Sequence, residues 1–487
     1  MIQVTFLPDN ITVMVEPGST LLQAQILAGL HPDAPCGSKG TCGKCMVKIS
    51  GEDVPACRTR IFVDTTVTLP QWEGSVILSG GLSLPLCPDG LHEYVAAFDL
   101  GTTTLVGYLL DGKTGALLTT SSAMNPQVRY GADVITRIET ALKGEGPALQ
   151  QCILEALQQL LAELSDKAGI RAADIDLISV AGNTAMHHLL LGIDPKSLVT
   201  PPYMPAVRDA IEMDAASLLP VCPRAALRIL PNIAGFVGGD TVACMTAVDF
   251  GRLEKLTLML DIGTNGEIVL GNRQQRIACS SAAGPAFEGA RISMGMRGSP
   301  GAIDHVWIEG GRLCHHTIGG GEAQGICGSG LLDLAACLLD LGILDESGYL
   351  HGKEYTIPGT TIVLTQKDIR EFQLAKAAIR AGIELSCRHL GIEPKEIHSV
   401  LLAGAFGSHM DPGSACRVGM IPPVLQDRIC SVGNAAGEGA KHCAVSRDAY
   451  ECSKKFAAET KFLELASSRD FQDCFVDALQ FSVEDDL

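Results

Sequence analysis

Leu256-Thr257-Leu258-Met259-Leu260-Asp261-Ile262-Gly263-Thr264-Asn265-Gly266-Glu267-Ile268-Val269-Leu270 reads as a buried strand ending in a carboxylate, a glycine turn, and a second apolar strand. The N–H and hydroxyl groups of Gly263, Thr264 and Asn265 suit a phosphate. The order recurs upstream, where the apolar run Val95-Ala96-Ala97-Phe98 enters Asp99-Leu100-Gly101-Thr102-Thr103-Thr104 and continues as Leu105-Val106. One Asp-x-Gly-Thr is weak evidence, because it is also an ordinary hairpin turn. Two copies at domain-scale separation point to duplicated halves facing one nucleotide. No G-x4-G-K-[ST] occurs, which excludes a P-loop.

A third strand-to-glycine turn lies in Val400-Leu401-Leu402-Ala403-Gly404-Ala405-Phe406-Gly407-Ser408, after a helix expected over roughly 366–389. Asp240, in Val237-Gly238-Gly239-Asp240-Thr241, is either a water-positioning carboxylate or a helix N-cap. Glycine-rich runs around Gly284, Gly320 and Gly437 either line the cleft or pack strand against helix. The pairs His187-His188 and His315-His316 do not read as metal sites, since adjacent residues face apart on a helix or strand.

This pattern resembles the acetate and sugar kinase, Hsp70 and actin superfamily over roughly residues 94–450. The Asp99 and Asp261 turns resemble its two phosphate motifs, and the Gly404–Gly407 turn its adenosine motif. The resemblance implies two ribonuclease-H-like halves closing over ATP with Mg²⁺. Asp99 or Asp261 would orient the metal's waters and the attacking water, with Asp240 a second candidate for the latter. Thr102, Thr103 and Thr264 would contact phosphates, flanked by Gly101, Thr104, Gly263, Asn265, Gly320, Gly404 and Gly407.

Towards the N-terminus, Ile2-Val4-Phe6 and Ile11-Val13-Val15 alternate about Pro8-Asp9-Asn10, as a β-hairpin does. A helix carrying Leu22, Ile26 and Leu30 should follow, in the order of a β-grasp domain. Then comes Pro35-Cys36-Gly37-Ser38-Lys39-Gly40-Thr41-Cys42-Gly43-Lys44-Cys45, and later Cys57: C-x5-C-x2-C-x11-C. Four thiolates curling from a glycine-rich loop suit a [2Fe–2S] cluster, the glycines allowing N–H groups to point at the sulfurs. Zinc is the alternative, but its sites usually come as two separated C-x2-C pairs. Cys87 rivals Cys57 as fourth ligand but lies in a segment rich in breakers that is expected to be a linker. The order resembles plant- and adrenodoxin-type ferredoxins. Ile61, Val63, Val67 and Leu69 are expected to supply closing strands.

The expected organisation is therefore an α+β ferredoxin-like β-grasp domain over 1–78, a linker over 79–93, and an α/β actin/Hsp70-like ATPase in two halves over 94–455. A C-terminal segment with an acidic tail would occupy 456–487. A formal charge of −18 argues against nucleic acid or an anionic membrane as partner, and 5% aromatics against base-stacking platforms. No stretch approaches the roughly 20 apolar residues that span a bilayer. Eighteen cysteines in a large chain without an evident export signal read mostly as buried apolar side chains, and a cytoplasmic location is expected.

The combination resembles the reductive activators of corrinoid-dependent enzymes. Further stretches carry the likeness: Asn125-Pro126-Gln127-Val128-Arg129-Tyr130-Gly131-Ala132-Asp133-Val134, Ala181-Gly182-Asn183-Thr184-Ala185-Met186, Cys279-Ser280-Ser281 with Gly284–Gly289, and Gln373–Arg380. The resemblance implies ATP-dependent reduction of a Co(II) corrinoid protein of a methyltransferase system to Co(I). It also implies an upstream low-potential electron donor and a homodimer. Two alternatives are an activator of another low-potential enzyme and a nucleotide-binding redox sensor.

Overall fold

The computed structural model describes residues 1–481 apart from 8–10, 29–44, 50, 70–76, 79–80, 83, 132, 264, 290 and 466–467. Two compact units emerge, Met1–Leu84 and Pro85–Leu487, so the division falls inside the segment expected as a linker.

In the first unit, Ile2–Leu7 pairs antiparallel with Ile11–Val15, and the helix Leu21–Leu27 follows. Thr65–Thr68 pairs parallel to the first strand and antiparallel to Met46–Ile49, which forms a hairpin with Glu52–Pro55. Val4, Phe6, Leu21, Val47 and Val67 close one small core, a consequence of the period-2 alternation. The closing strand is shorter than expected. Ile61 joins the core, but Val63 precedes the strand and is 71% exposed.

The second unit holds two six-stranded sheets built alike. In the first, Tyr94–Leu100, Thr104–Asp111 and Leu117–Met124 form an antiparallel meander, and Ile175–Gly182 and then Ala226–Ile229 add in parallel on the other side of the first strand. In the second, Thr257–Ile262, Gly266–Gly271 and Arg276–Ser281 form the meander, with Ser399–Ala403 and Ile429–Gly433 added in parallel. The shared order, third–second–first–fourth–fifth, is the duplication that the paired turns implied. Alternate residues of the Tyr94–Leu100 strand enter different cores: Ala96, Phe98 and Leu100 one, Val95 and Ala97 the other. Both faces are covered, hence the unbroken apolar run.

The long helix Gln366–Leu390 starts at a capping box between Thr365 and Asp368 and ends at left-handed Gly391. The C-terminal segment is integrated rather than appended. Lys461–Phe462 pairs with the Arg276–Ser281 strand, and Gln373 Nε2 donates to the Leu479 carbonyl at 2.8 Å. The acidic tail at 484–486 lies outside the described residues.

The helix Ala435–Val445, from the second half, packs against Gly239–Ala247 and lies with it over Val95, Ala97 and Leu177 of the first sheet. A β-carbon at Gly439 would lie 1.9 Å from the Ala243 carbonyl oxygen, so this crossing admits no side chain. Gly439→Ala should therefore cost about 1–3 kcal/mol and lower the thermal unfolding midpoint by several degrees in calorimetry. An unchanged midpoint would refute so close a crossing.

Candidate functional site

The duplicated topology places both Asp-x-Gly-Thr turns at equivalent ends of equivalent strands. Asp99 pairs across to Ala181 and Asp261 to Ala403, each one residue before a glycine that ends the fourth strand or opens a helix. Gly404 is left-handed at φ +80°, and a β-carbon there would meet Asp261 Oδ1 at 2.7 Å. Only glycine lets the third turn lie so close to the second. Gly407 packs on Leu402, continuing that approach.

Both halves contribute to one carboxylate cluster. Asn434 caps the crossing helix by accepting from the Gly437 N–H, and its Nδ2 donates 2.9 Å to Asp99 Oδ2 and 3.3 Å to the Tyr108 hydroxyl. Asp240 sits one residue inside the helix whose N-cap is Gly238, and its Oδ1 accepts from the Thr241 N–H. The N-cap alternative for Asp240 thus gives way, because Gly238 already fills that position with extended backbone. Burial and the neighbouring carboxylates act together. Burial, opposed by the Asn434 bond and reinforced by Asp240, pushes Asp99 up to about 6. Burial, opposed by the Thr241 and backbone bonds, leaves Asp240 at about 6. Burial, Asp240 and Asp99 push Asp261 up to about 7. The Cys244 thiol, buried on the same helix, stays protonated and donates to Asp261 Oδ2 at 3.7 Å.

A fourth carboxylate escaped sequence reading. Glu267 stands directly opposite Asp261 in the hairpin register, and burial with Asp240 and Asp261 raises it well above the usual carboxylate range. Its position just after Gly266 was the available signal, since a tight turn brings such a residue back beside the strand-end aspartate.

The expected phosphate turn Gly101–Thr104 is closed by Gly101 N–H donating to the Thr104 carbonyl at 3.1 Å. Gly263 N–H donates similarly to the Asn265 carbonyl at 2.9 Å. Thr264 lies outside the described residues. Gly320 lies in a left-handed turn, its N–H donating to the Thr317 carbonyl at 2.9 Å, just after a strand of a separate three-stranded sheet. The stretches that carried the resemblance mostly surround the two turns. Asn125–Val134 and Ala181–Met186 flank the first. A β-carbon at Gly263 would lie 3.7 Å from Glu288 Oε1, and one at Gly266 within 2.0 Å of Ile379 Cδ1. His187 and His188 are internal. His188 Nδ1 bonds the Thr184 carbonyl, and burial drives His187 down to about 3.

In the first unit, Cys45 and Cys57 bracket the open end of the Met46–Pro55 hairpin, with Ala56 N–H donating to the Cys45 carbonyl at 2.8 Å. Both sulfur-bearing residues are buried. Cys36 and Cys42 lie outside the described residues. Cys87 belongs to the other compact unit and is exposed. Two buried cysteines at one hairpin mouth, with Cys36 and Cys42 close upstream in the sequence, fit the donor set of a diiron cluster.

The raised carboxyls make stability fall with pH. Between the ordinary value of 3.8 and about 7, the folded chain holds protons that the unfolded chain has released. In magnesium-free, nucleotide-free buffer, the unfolding midpoint should drop as pH rises from about 4 to about 7. Asp261→Asn should flatten that slope and stabilise the protein at pH 8. A midpoint indifferent to pH would sink this electrostatic picture.

With this geometry in view, comparison with known proteins is specific. Residues 4–66 match the 2Fe-2S iron-sulfur cluster binding domain, 94–252 the RACo middle region, and 255–487 the C-terminal ASKHA domain of RACo. The chain is 36% identical over 436 residues to the corrinoid activation enzyme RamQ of Eubacterium limosum, covering 82% of this chain and 73% of that protein. It is 27% identical to the [Co(II) methylated amine-specific corrinoid protein] reductase of Methanosarcina barkeri, over 80% of this chain and 77% of that one. Among solved structures, a reductive activator for corrinoid,iron-sulfur protein superposes with a TM-score of 0.74 at 28% identity, covering 99% and 98% of the two chains. No helix among the described residues is long and apolar enough to cross a membrane. A cysteine-bearing β-grasp unit joined to a duplicated nucleotide-binding body, matched along its length by these relatives, belongs to the family of corrinoid-protein reductive activators.

Proposed function

We propose that this protein reduces the cobalt of a corrinoid protein from Co(II) to Co(I), one electron at a time, and hydrolyses ATP to do so. The observation that carries the nucleotide half of this reading is the meeting of the two strand-end turns. Asp99 is bonded by Asn434 of the opposite half and is close enough to Asp261 to raise its proton affinity. The likeness of both turns to phosphate motifs favours ATP at that meeting point.

Cys36, Cys42, Cys45 and Cys57 are the proposed cluster ligands. When bound, such a cluster supplies single electrons at roughly −400 mV. Co(I) is a strong reductant, and each ~59 mV of uphill transfer costs about 1.4 kcal/mol. ATP contributes only if its bound states favour different protein geometries. The turn Gly101–Thr104 and its counterpart Gly263–Asn265 hold phosphates through N–H and hydroxyl groups. Asp99, Asp240 and Asp261 would carry Mg²⁺ through its waters and align the attacking water. A cation must accompany the nucleotide here, because several carboxylates facing bare triphosphate would repel it. Gly404 and Gly407, which let the third turn pack on Asp261 and Leu402, would set that turn beside the adenosine. The partner is a corrinoid protein of a methyltransferase system, met in the cytoplasm, with a low-potential donor upstream and the activator working as a homodimer.

The test mixes anaerobically purified protein, a Co(II) corrinoid protein, Mg–ATP and a chemical reductant, and follows the visible spectrum for Co(I). Mg–ATP should raise the rate or extent of reduction; no change in either overturns the proposal. Asp261→Asn should lower ATP turnover by about 10²–10³-fold with the iron–sulfur absorbance intact. Cys42→Ser should bleach that absorbance and leave nucleotide binding.

A further inference from the structure

Arg137 is a fully buried guanidinium beneath the first phosphate turn, and its partners are unusual. It lies on the short helix Val134–Thr140, capped by Asp133. Nε donates to the Gly131 carbonyl at 2.9 Å, Nη1 to Gln127 Oε1 and to Met186 Sδ at 3.4 Å, and Nη2 to the Thr102 carbonyl at 2.5 Å. Every acceptor is neutral. Among the described residues no carboxylate lies within 4.0 Å of its nitrogens. Burial draws it down to about 10, with Cys152 and Asp133 pulling weakly the other way, so it remains charged at neutral pH. A buried charge without a counter-ion is costly, and neutral donors could have tied the same carbonyls.

The neighbouring contacts say what the charge is for. Asn125 Nδ2 donates to the Gly101 carbonyl at 2.8 Å, Arg137 Nη2 to the Thr102 carbonyl, and Asn125 N–H to the Thr103 carbonyl at 2.9 Å. Three successive carbonyls of the turn are thus gripped from one side by the segment 125–137. In a planar trans peptide the N–H points opposite its carbonyl, so the N–H groups of Thr102, Thr103 and Thr104 are turned the other way. Donation to a carbonyl also polarises the attached N–H. Asn183 Nδ2 occupies Thr102 Oγ1 at 2.9 Å, leaving that hydroxyl's hydrogen to donate elsewhere. The result is an anion nest with a cation behind it.

We infer that Arg137 is a positioning residue for nucleotide phosphate, its uncompensated charge answered by the phosphate that the turn Gly101–Thr104 binds on its opposite face. This rests on the reading of that turn as a phosphate site. The full-length, cluster-loaded protein is titrated with ATP, ADP and adenosine by calorimetry, at two salt concentrations. Arg137→Gln, neutral but still a donor, should weaken ATP about ten-fold and leave adenosine unchanged. Arg137→Lys should recover most of the loss. Gln127→Glu keeps the guanidinium but gives it a counter-ion, and should weaken ATP several-fold on its own. This second variant carries the test if Arg137→Gln does not fold. Wild-type phosphate affinity in folded Arg137→Gln, or in Gln127→Glu, overturns the inference alone. Wild-type protein that binds adenosine as tightly as ATP would overturn the phosphate site and the inference together.

Discussion

The hydrogen bond from Asn434 to Asp99 is the contact on which the nucleotide cleft depends. It joins the first turn of a helix from the second half to the end of the first strand of the first half, residues 335 positions apart. Asn434 can make it because its carbonyl oxygen is already spent on capping that helix at Gly437. The same amide reaches the Tyr108 hydroxyl, and Gly437 must be glycine because a β-carbon there would strike that hydroxyl at 2.5 Å. One side chain therefore links helix start, strand end and carboxylate. Separating the halves would strip Asp99 of a hydrogen bond in surroundings that already disfavour its charge.

That dependence explains why the carboxylates tolerate one another. Asp99, Asp240, Asp261 and Glu267 all raise each other's proton affinity or have it raised by burial. Such a cluster is costly on its own and would be relieved by the cation of the proposed metal–nucleotide complex. Strand ends and a capped helix hold the carboxylates in place. Arg137 sits behind one phosphate turn as the opposite charge, insulated from the cluster by the turn's own backbone.

Much of this was legible in the chain. A carboxylate at the end of an apolar run, then Gly-Thr, is a local signal, and both turns formed where it occurs. The alternation of Ile2, Val4 and Phe6 likewise set the hairpin of the first unit. The closing strand misled, because Val63 shares the apolar character of Val67 but lies before the strand begins and faces solvent. Contacts made at long range left no local trace. Nothing near Asn434 announces Asp99, and nothing near Arg137 announces the Thr102 carbonyl that it reaches. Gly320 was read from glycine content, and it forms a left-handed turn just after a strand of a separate three-stranded sheet.

The helix crossing gives these local facts a mechanical meaning. Gly439 and Ala243 approach too closely for any intervening side chain, so the two halves cannot slide freely there. Asp240 and Asn434 sit at the starts of the two packed helices, and both face the carboxylates at the strand ends. On the proposed reading, a nucleotide held by Asp99, Asp240 and Asp261 would bear on both halves at once, because Asn434 of the second half already holds Asp99 of the first.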